Sequence, residues 1–333
     1  MTLQELKRTL AQASQVFVLT DWNVAPLWLP ELKRWLGCES AVELVIKAGE
    51  AQKTLRTAQL LWRRLLRHQA DRDAVLVNLG GGVVCDLGGF VASCYQRGIR
   101  FVNVPTTLLA MVDAAFGGKT GVDFGGFKNQ IGSFAEPLEV LVSPIYLSTL
   151  PQRELLSGLA EMLKYGFIAD PSMLKVTQDN YEQYLLRAGR IKREIVSNDF
   201  KDQGQRKVLN FGHTLGHALE SWSQQTEHPL RHGEAVALGM GGALRISIQQ
   251  CGLSEAVLQD YWPQMKRLLA ESDLKISLEE VDDILSYLVH DKKSRSGAPR
   301  FVLLKKPGEP VWDQSVPDDL VRQALCEVIE KLV

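Results

Sequence analysis

The 333-residue sequence predicts an α/β fold in two domains: a Rossmann-like parallel-sheet domain of nucleotide-binding type over residues 1–150 and a mostly α-helical domain over 151–333. Three observations carry this expectation. Short runs rich in β-branched residues alternate with amphipathic helical stretches through the first half, the rhythm of a parallel sheet covered on both faces. One of those runs passes straight into the glycine-rich segment GGGVVCDLGGF at 80–90. After Pro151 the hydrophobic period becomes helical, and a chain of this length is long for a single core.

In chain order, strands are expected in QVFVLTD (15–21), VELVIKAG (42–49), AVLVNLGGG (74–82) and IRFVNVPTT (99–107), with a helix in TLRTAQLLWRRLLRHQ between the second and third. Beyond Pro151, amphipathic helices are expected at 152–167, 204–223, 233–250 and 317–332, with one late strand in RFVLLKK. No internal repeat, low-complexity segment or charge block interrupts this plan. The break near residue 150 is a change of period without a flexible linker.

Composition narrows the function classes. With 38 basic against 39 acidic residues and a formal net charge of −1, there is no electrostatic footprint for nucleic acid, and any strong anion binding must be local. The five cysteines, Cys38, Cys85, Cys94, Cys251 and Cys326, are odd in number and lack a CxxC pair. That argues against a disulfide framework or a structural zinc knuckle and fits a reducing compartment. Nothing in MTLQELKRTLAQ resembles a signal peptide, and no apolar run approaches the length that spans a bilayer. The expectation is a soluble cytoplasmic protein with neither nucleic acid nor membrane as partner.

Glycines where a strand turns into a helix let backbone N–H groups approach a phosphate, and the helix N-terminus favours negative charge. GGGVVCDLGGF therefore points to a phosphate-bearing ligand, although a tight turn alone uses such glycines and the GxGxxG dinucleotide spacing is missing. Downstream, FVNVPTTLLAMVDAAFGGKTGVDFGGFKNQIGSFAEP sets Gly117, Gly118, Gly121, Gly125, Gly126 and Gly132 among Asp113, Lys119, Lys128 and Asn129. This reads either as a glycine-rich hairpin with solvated lysines or as a permissive backbone carrying isolated cations for an anionic small molecule. SGLAEMLKYG places Glu161 and Lys164 three residues apart on one helix face, the spacing of an ordinary helical ion pair. LNFGHTLGHALE places His213 and His217 four apart on another, and four of the six histidines, 213, 217, 228 and 232, fall within twenty residues. Two histidines and one distant glutamate would make a catalytic zinc site with an open position, and periodicity leaves open which two bind.

These segments, together with RKVLNFGHTLGHALE, RHGEAVALGM and DKK, resemble the 3-dehydroquinate synthase family in order and over nearly the whole chain. The resemblance implies a homodimeric enzyme using NAD and a divalent metal, usually zinc, with cobalt admissible. It implies conversion of 3-deoxy-D-arabino-heptulosonate 7-phosphate, a sugar phosphate, into 3-dehydroquinate and phosphate on the route to chorismate. Matching the family's motifs makes Glu161, His213 and His232 the metal ligands and turns His217 toward the substrate. For NAD the matches are Asp21, Asn23, Gly49, Glu50, Lys53, Gly81, Gly82, Asp86, Thr106, Thr107, Tyr146 and Thr149, with Lys119 and Lys128 serving cofactor and substrate alike. For the substrate's carboxylate and phosphate they are Asp113, Lys119, Lys128, Asn129, Lys164, Lys192, Arg206, Asn210, His217 and Lys292, with Arg97 reaching in from the other subunit.

The implied chemistry is a cycle of oxidation at C5, β-elimination of phosphate, return of the hydride, ring opening and intramolecular aldol closure. The chain departs from the family pattern at Cys85, where Gly is usual, at Asp123, where Asn is common, and at Phe200 and Asp202, where Glu is common. Three alternatives stand beside the main reading: a related cyclase acting on sedoheptulose 7-phosphate or glucose 6-phosphate, a glycerol-type polyol dehydrogenase, and a non-catalytic nucleotide-binding scaffold.

Overall fold

The computed structural model describes residues 2–291 and 299–332, within which the chain divides into two compact units, Met1–Leu150 and Pro151–Val333. The first unit runs α1 (Leu3–Ala11), β1 (Val16–Asp21), α2 (Ala25–Leu36), β2 (Val42–Ile46), α3 (Leu55–Arg67), β3 (Val75–Gly80), α4 (Gly82–Cys94), β4 (Arg100–Pro105), β5 (Lys119–Phe124) and β6 (Phe127–Phe134). Strands β1 to β4 form a wholly parallel sheet in the order β2-β1-β3-β4. Every residue of β3 is buried, as a strand covered on both faces requires. Phe17, Leu76 and Phe101 stand in register across β1, β3 and β4 and join one core with Leu61 and Leu65 of α3 and Leu87 and Val91 of α4.

Because β2 and β3 lie on opposite sides of β1, the winding of the sheet reverses there. Open α/β sheets bind ligands at such a switch point, outside the C-terminal ends of the strands. Asp21 closes β1, and the Gly80–Gly82 junction closes β3 and opens α4. The segment from Lys119 to Phe134 is an antiparallel hairpin, turned by Gly125 (φ 63°) and Gly126 (φ 83°).

The second unit runs α5 (Gln152–Ile168), α6 (Leu185–Asn198), α7 (His213–Ser223), α8 (His232–Cys251), α9 (Glu255–Leu268), α10 (Val281–Asp291), β7 (Arg300–Lys306), β8 (Glu309–Ser315) and α11 (Asp318–Glu330). Helices α5, α8 and α11 lie close to their expected bounds. The strand expected in RFVLLKK is β7, and it pairs with β8, which the sequence pattern had not marked. The single helix expected over 204–223 is broken. A 3-10 segment, Gln205–Asn210, ends before Gly212, and α7 starts afresh at His213. The cause is Gly212, which adopts φ 78° and has no room for a side chain: a Cβ there would lie 2.6 Å from Cγ of Met240. No described helix is long and apolar enough to cross a membrane.

Candidate functional site

In the second unit three helices meet through glycines. A Cβ at Gly233 would fall 2.1 Å from the carbonyl oxygen of Ser157, and one at Gly239 would fall 1.9 Å from that of Gly212. Helix α8 therefore lies almost backbone to backbone against α5 and the start of α7. The backbone N–H of Gly233 donates to Ser157 Oγ at 2.9 Å, one turn before Glu161 on α5. These contacts carry His213 and His232, each the first residue of its helix, onto the Glu161 carboxylate.

Glu161 Oε1 lies 3.4 Å from Nε2 of His213 and 3.4 Å from Nε2 of His232. Glu161 is sealed from solvent, yet neither carboxylate oxygen meets hydrogen-bond geometry, and its Oε2 is ion-paired with the buried ammonium of Lys164. Two ligands about 2.0–2.1 Å from a zinc ion at a tetrahedral angle stand about 3.3–3.4 Å apart, so this donor set fits zinc. Burial alone would raise the Glu161 carboxyl, but Lys164 and the two imidazoles outweigh it and hold the group well below the usual carboxylate range. Burial, seconded by the charge of Lys164, lowers His213. At His232 burial is overcome by the adjacent carboxylates of Glu161 and Glu220, and the ring is pushed up to about 10.

His217 is the exposed member of the cluster, its ring 5.3 Å from that of His213 and 6.1 Å from that of His232. Among the described residues a second group, His217, Glu220 and His232, also places potential ligand atoms within 4.8 Å of one another. His228 belongs to neither group and is exposed on the loop before α8. Glu220 escaped the sequence reading. The available signal was its place seven residues after His213 and three after His217, on one face of α7.

Of the cations expected around the substrate, Lys164 on α5 and Lys192 on α6 are buried, and Arg206 is buried in the 3-10 segment that ends at the exposed Asn210. Arg206 is held by its surroundings: its Nη1 donates to the carbonyl of Phe200 at 2.7 Å, and its backbone N–H donates to Asp199 Oδ2 at 3.0 Å. The departure at Phe200 is thereby explained, since the contact to Arg206 uses the backbone carbonyl, which any residue supplies. Lys292 lies outside the described residues.

In the first unit the structure joins several expected residues into one cluster. Lys53 Nζ lies 2.6 Å from Asp86 Oδ2 and donates to Asn129 Oδ1 at 2.5 Å. Glu50 Oε1 lies 3.9 Å from both Lys53 Nζ and Lys128 Nζ. Asn129 is fixed at φ 55°, its N–H donating to Asp123 Oδ1 at 2.8 Å, an acceptor that either aspartate or the family's asparagine supplies. Burial alone would lower Lys53, but Asp86, Glu50 and Asp123 hold its ammonium above the ordinary range.

Asp21 Oδ1 accepts from the backbone N–H groups of Asn23 and Val24, at 2.8 and 3.1 Å, just before α2. Gly49 precedes the short 3-10 turn Glu50–Gln52 at φ 101°. Thr106 is buried and Thr107 Oγ1 accepts from Ala110 N–H at 3.2 Å; a Cβ at Gly81 would meet Thr107 at 3.0 Å, and one at Gly82 would meet Ala114 at 3.2 Å. Tyr146 packs edge-on against Trp28 at 5.1 Å, and Thr149 Oγ1 accepts from the indole N–H of Trp28 at 2.9 Å. Asp113 lies in a π-helical turn, Ala110–Ala114, and Lys119 opens β5. Arg97 is exposed and follows Gln96, both at positive φ, 70° and 54°. Cys85 is buried in the first turn of α4, where burial pushes its thiol up.

A parallel sheet with a glycine junction at its switch point, and a helical unit with a two-histidine, one-glutamate cluster around a buried carboxylate, define a metal- and nucleotide-dependent enzyme class. The comparisons narrow that class: residues 43–157 match the model of the 3-dehydroquinate synthase N-terminal domain and residues 158–294 that of its C-terminal domain, so the chain belongs to the 3-dehydroquinate synthase family. It is 38% identical over 327 residues to a 3-dehydroquinate synthase of Parabacteroides distasonis, covering 93% of this chain and 90% of that protein. Among solved structures it is similar to a 2-deoxy-scyllo-inosose synthase complexed with carbaglucose-6-phosphate, NAD+ and Co2+, with a TM-score of 0.85 and 25% identity over 98% of this chain and 94% of the other. It is also similar to a 2-epi-5-epi-valiolone synthase of Streptomyces hygroscopicus subsp. jinggangensis 5008 with NAD+ and Zn2+ bound, with a TM-score of 0.83 and 27% identity over 97% and 95% of the two chains.

Proposed function

We propose that the chain is a 3-dehydroquinate synthase, an NAD- and zinc-dependent enzyme converting 3-deoxy-D-arabino-heptulosonate 7-phosphate into 3-dehydroquinate and phosphate. Family membership across both units supports the reading. The single geometric observation that carries it is the Glu161 oxygen 3.4 Å from Nε2 of both His213 and His232. When bound, NAD would supply reversible hydride transfer at C5, and zinc would supply Lewis acidity toward the substrate hydroxyls.

The chain's own residues hold and orient. Glu161, His213 and His232 would ligate the metal. Residues 1–150 would bind NAD through Asp21, Asn23, the glycines Gly49, Gly81 and Gly82, Thr106, Thr107, Tyr146, Thr149 and the Glu50, Lys53, Asp86 and Lys128 cluster. Residues 151–333 would hold metal and substrate. Two anionic groups on the substrate need several cations, and Lys119, Lys128, Lys164, Lys192, Arg206 and Lys292 supply them, with Asp113, Asn129 and Asn210 as hydrogen-bonding partners. Arg206 suits the carboxylate, because a planar fork forms two charge-assisted bonds. His217 hydrogen-bonds the substrate or relays a proton and is not the sole base, because the departing phosphate can take the C6 proton. The enzyme acts as a cytoplasmic homodimer in which Arg97 serves the other subunit's substrate, and no nucleic acid takes part.

A related sugar phosphate cyclase is the second reading, supported by the similarity to the two cyclases of solved structure. One experiment tests both. The enzyme is incubated with the heptulosonate phosphate and far less NAD than substrate, and phosphate and NADH are followed together. The expected result is many phosphates released per NAD without matching NADH. One NADH per substrate consumed, with turnover stopping at the NAD supplied and no phosphate freed, identifies a polyol dehydrogenase. Phosphate released only from sedoheptulose 7-phosphate or glucose 6-phosphate identifies the related cyclase, and no turnover of any of them a scaffold.

A further inference from the structure

We propose that Glu220 is a positioning residue of the metal centre: its carboxylate accepts the Nδ1 proton of His232 and so fixes that ring with Nε2 turned toward Glu161. The inference rests on the reading of Glu161, His213 and His232 as the ligands.

Glu220 is 5% exposed and lies in the last turn of α7. Its Oε2 stands 3.2 Å from Nδ1 of His232, while the opposite nitrogen of the same ring faces Glu161 Oε1 at 3.4 Å. An imidazole offers a lone pair at Nε2 in its neutral form only when Nδ1 carries the proton, and a carboxylate beside Nδ1 selects that tautomer. His213 is arranged in the same sense. Its Nδ1 lies 3.1 Å from the carbonyl oxygen of Phe211, which can only accept, so this nitrogen is the donor and Nε2 again faces Glu161. The two ligands differ in the acceptor behind them. His213 has a neutral carbonyl fixed by the backbone, whereas His232 has a carboxylate, which makes the ring a stronger ligand and adds negative charge behind it.

The backbone of His232 is anchored without help from Glu220. Gly233 N–H donates to Ser157 Oγ at 2.9 Å, and Glu234 Oε2 accepts from the backbone N–H of Arg231 at 2.8 Å. Arg153 clamps the same Glu234 carboxylate, Nε to Oε1 at 2.6 Å and Nη2 to Oε2 at 2.8 Å. What Glu220 adds is therefore the rotation and tautomer of the ring, and its loss leaves the start of α8 in place.

The test measures zinc affinity by competition with a chromophoric chelator for the full-length wild type, Glu220→Gln, Glu220→Ala, His217→Ala and Glu161→Gln, with the visible spectrum of each Co2+-loaded protein and the Tm of each metal-free protein. Expected for Glu220→Gln is zinc binding weakened about 10- to 100-fold, a shifted Co2+ band and a metal-free Tm near that of the wild type. Glu220→Ala should be weaker than Glu220→Gln, because the amide oxygen still accepts one hydrogen bond. Unchanged zinc affinity and an unchanged Co2+ spectrum in the Gln variant, which keeps the shape of Glu220, overturn the proposal. Loss of metal in Glu220→Gln and His217→Ala as complete as in Glu161→Gln also overturns it, by making Glu220 a ligand of the alternative group. Wild-type zinc affinity in Glu161→Gln fails the ligand assignment itself, a result distinct from either.

Discussion

Lys164 and Glu161, one turn apart on α5, form an ion pair from which solvent is excluded, their side chains 1% and 0% exposed. A divalent cation held by Glu161 would share that carboxylate with the lysine. Removing one member of a buried pair leaves the other's charge uncompensated and costs about 3–5 kcal/mol. Two imidazoles remain beside Glu161, so Lys164→Met should destabilise the metal-free protein by a value at the lower end, about 3 kcal/mol. Saturating zinc should narrow the gap by supplying positive charge to Glu161. Urea unfolding with chelator and with zinc checks it, and an equal gap in both conditions would mean that lysine and metal do not share the carboxylate.

The paired histidines separate by their surroundings: His213 is buried with Nε2 on Glu161, while His217 is exposed. His213→Ala should lose bound metal and, with it, several kcal/mol of transition-state stabilisation, roughly a thousandfold or more in phosphate release. His217→Ala should keep its metal and lose roughly 10²- to 10⁴-fold in rate, the range of a proton-transfer or hydrogen-bonding group. Metal analysis of the two purified proteins decides between them, and equal metal loss would reverse the assignment of the pair.

The parallel sheet was legible because its strands are short β-branched runs alternating with helical stretches and because β3, buried on both faces, reads as a continuous apolar segment. The break before His213 was not. The apolar period runs through Gly212, and only the tertiary approach of Met240 shows why that glycine must turn left-handed. The hairpin Lys119–Phe134 was one of two readings of its segment, since glycines that permit an anion's approach are the same glycines that turn a hairpin. Histidine spacing brought out the cluster but left its ligands ambiguous, and motif resemblance chose among them. Glu220 went unnoticed because its importance depends on a ring twelve residues away, a distance fixed by the α7 and α8 packing and not by any local pattern.

The glycines of GGGVVCDLGGF divide their work. Gly81 and Gly82 sit at the helix start, where a ligand phosphate would approach, but Gly88 lies a turn and a half inside α4 against β3. A Cβ at Gly88 would stand 1.9 Å from Asn78 Oδ1, and Asn78 in turn donates to Asn103 Oδ1 at 2.9 Å. Gly88→Ala must therefore push α4 off the sheet or break the buried asparagine pair. The expected cost is about 3 kcal/mol or more, read as a lowered urea midpoint. A midpoint equal to that of the wild type would show that the helix and strand can separate without penalty.

Asp199 ties the turn before Arg206. Its Oδ1 accepts from the backbone N–H of Gln203 at 2.9 Å, and its Oδ2 from those of Gly204 at 2.7 Å and Arg206 at 3.0 Å. Those donors, Gln203 and Gly204 foremost, hold the carboxyl below its ordinary value of 3.8. A depressed carboxylate stabilises the fold above its unfolded pKa, and the contribution is lost as the pH falls through the folded value. Asp199→Asn keeps one acceptor oxygen but turns an amide N–H₂ toward backbone donors, so it should melt below the wild type at pH 7. The difference should hold down to about pH 5 and shrink as the pH falls below 3.8, where the wild-type carboxyl takes up its own proton. Thermal melts of the two proteins across that range measure it. A Tm difference that does not change with pH would mean that the turn is held by its backbone shape and owes nothing to the charge of Asp199.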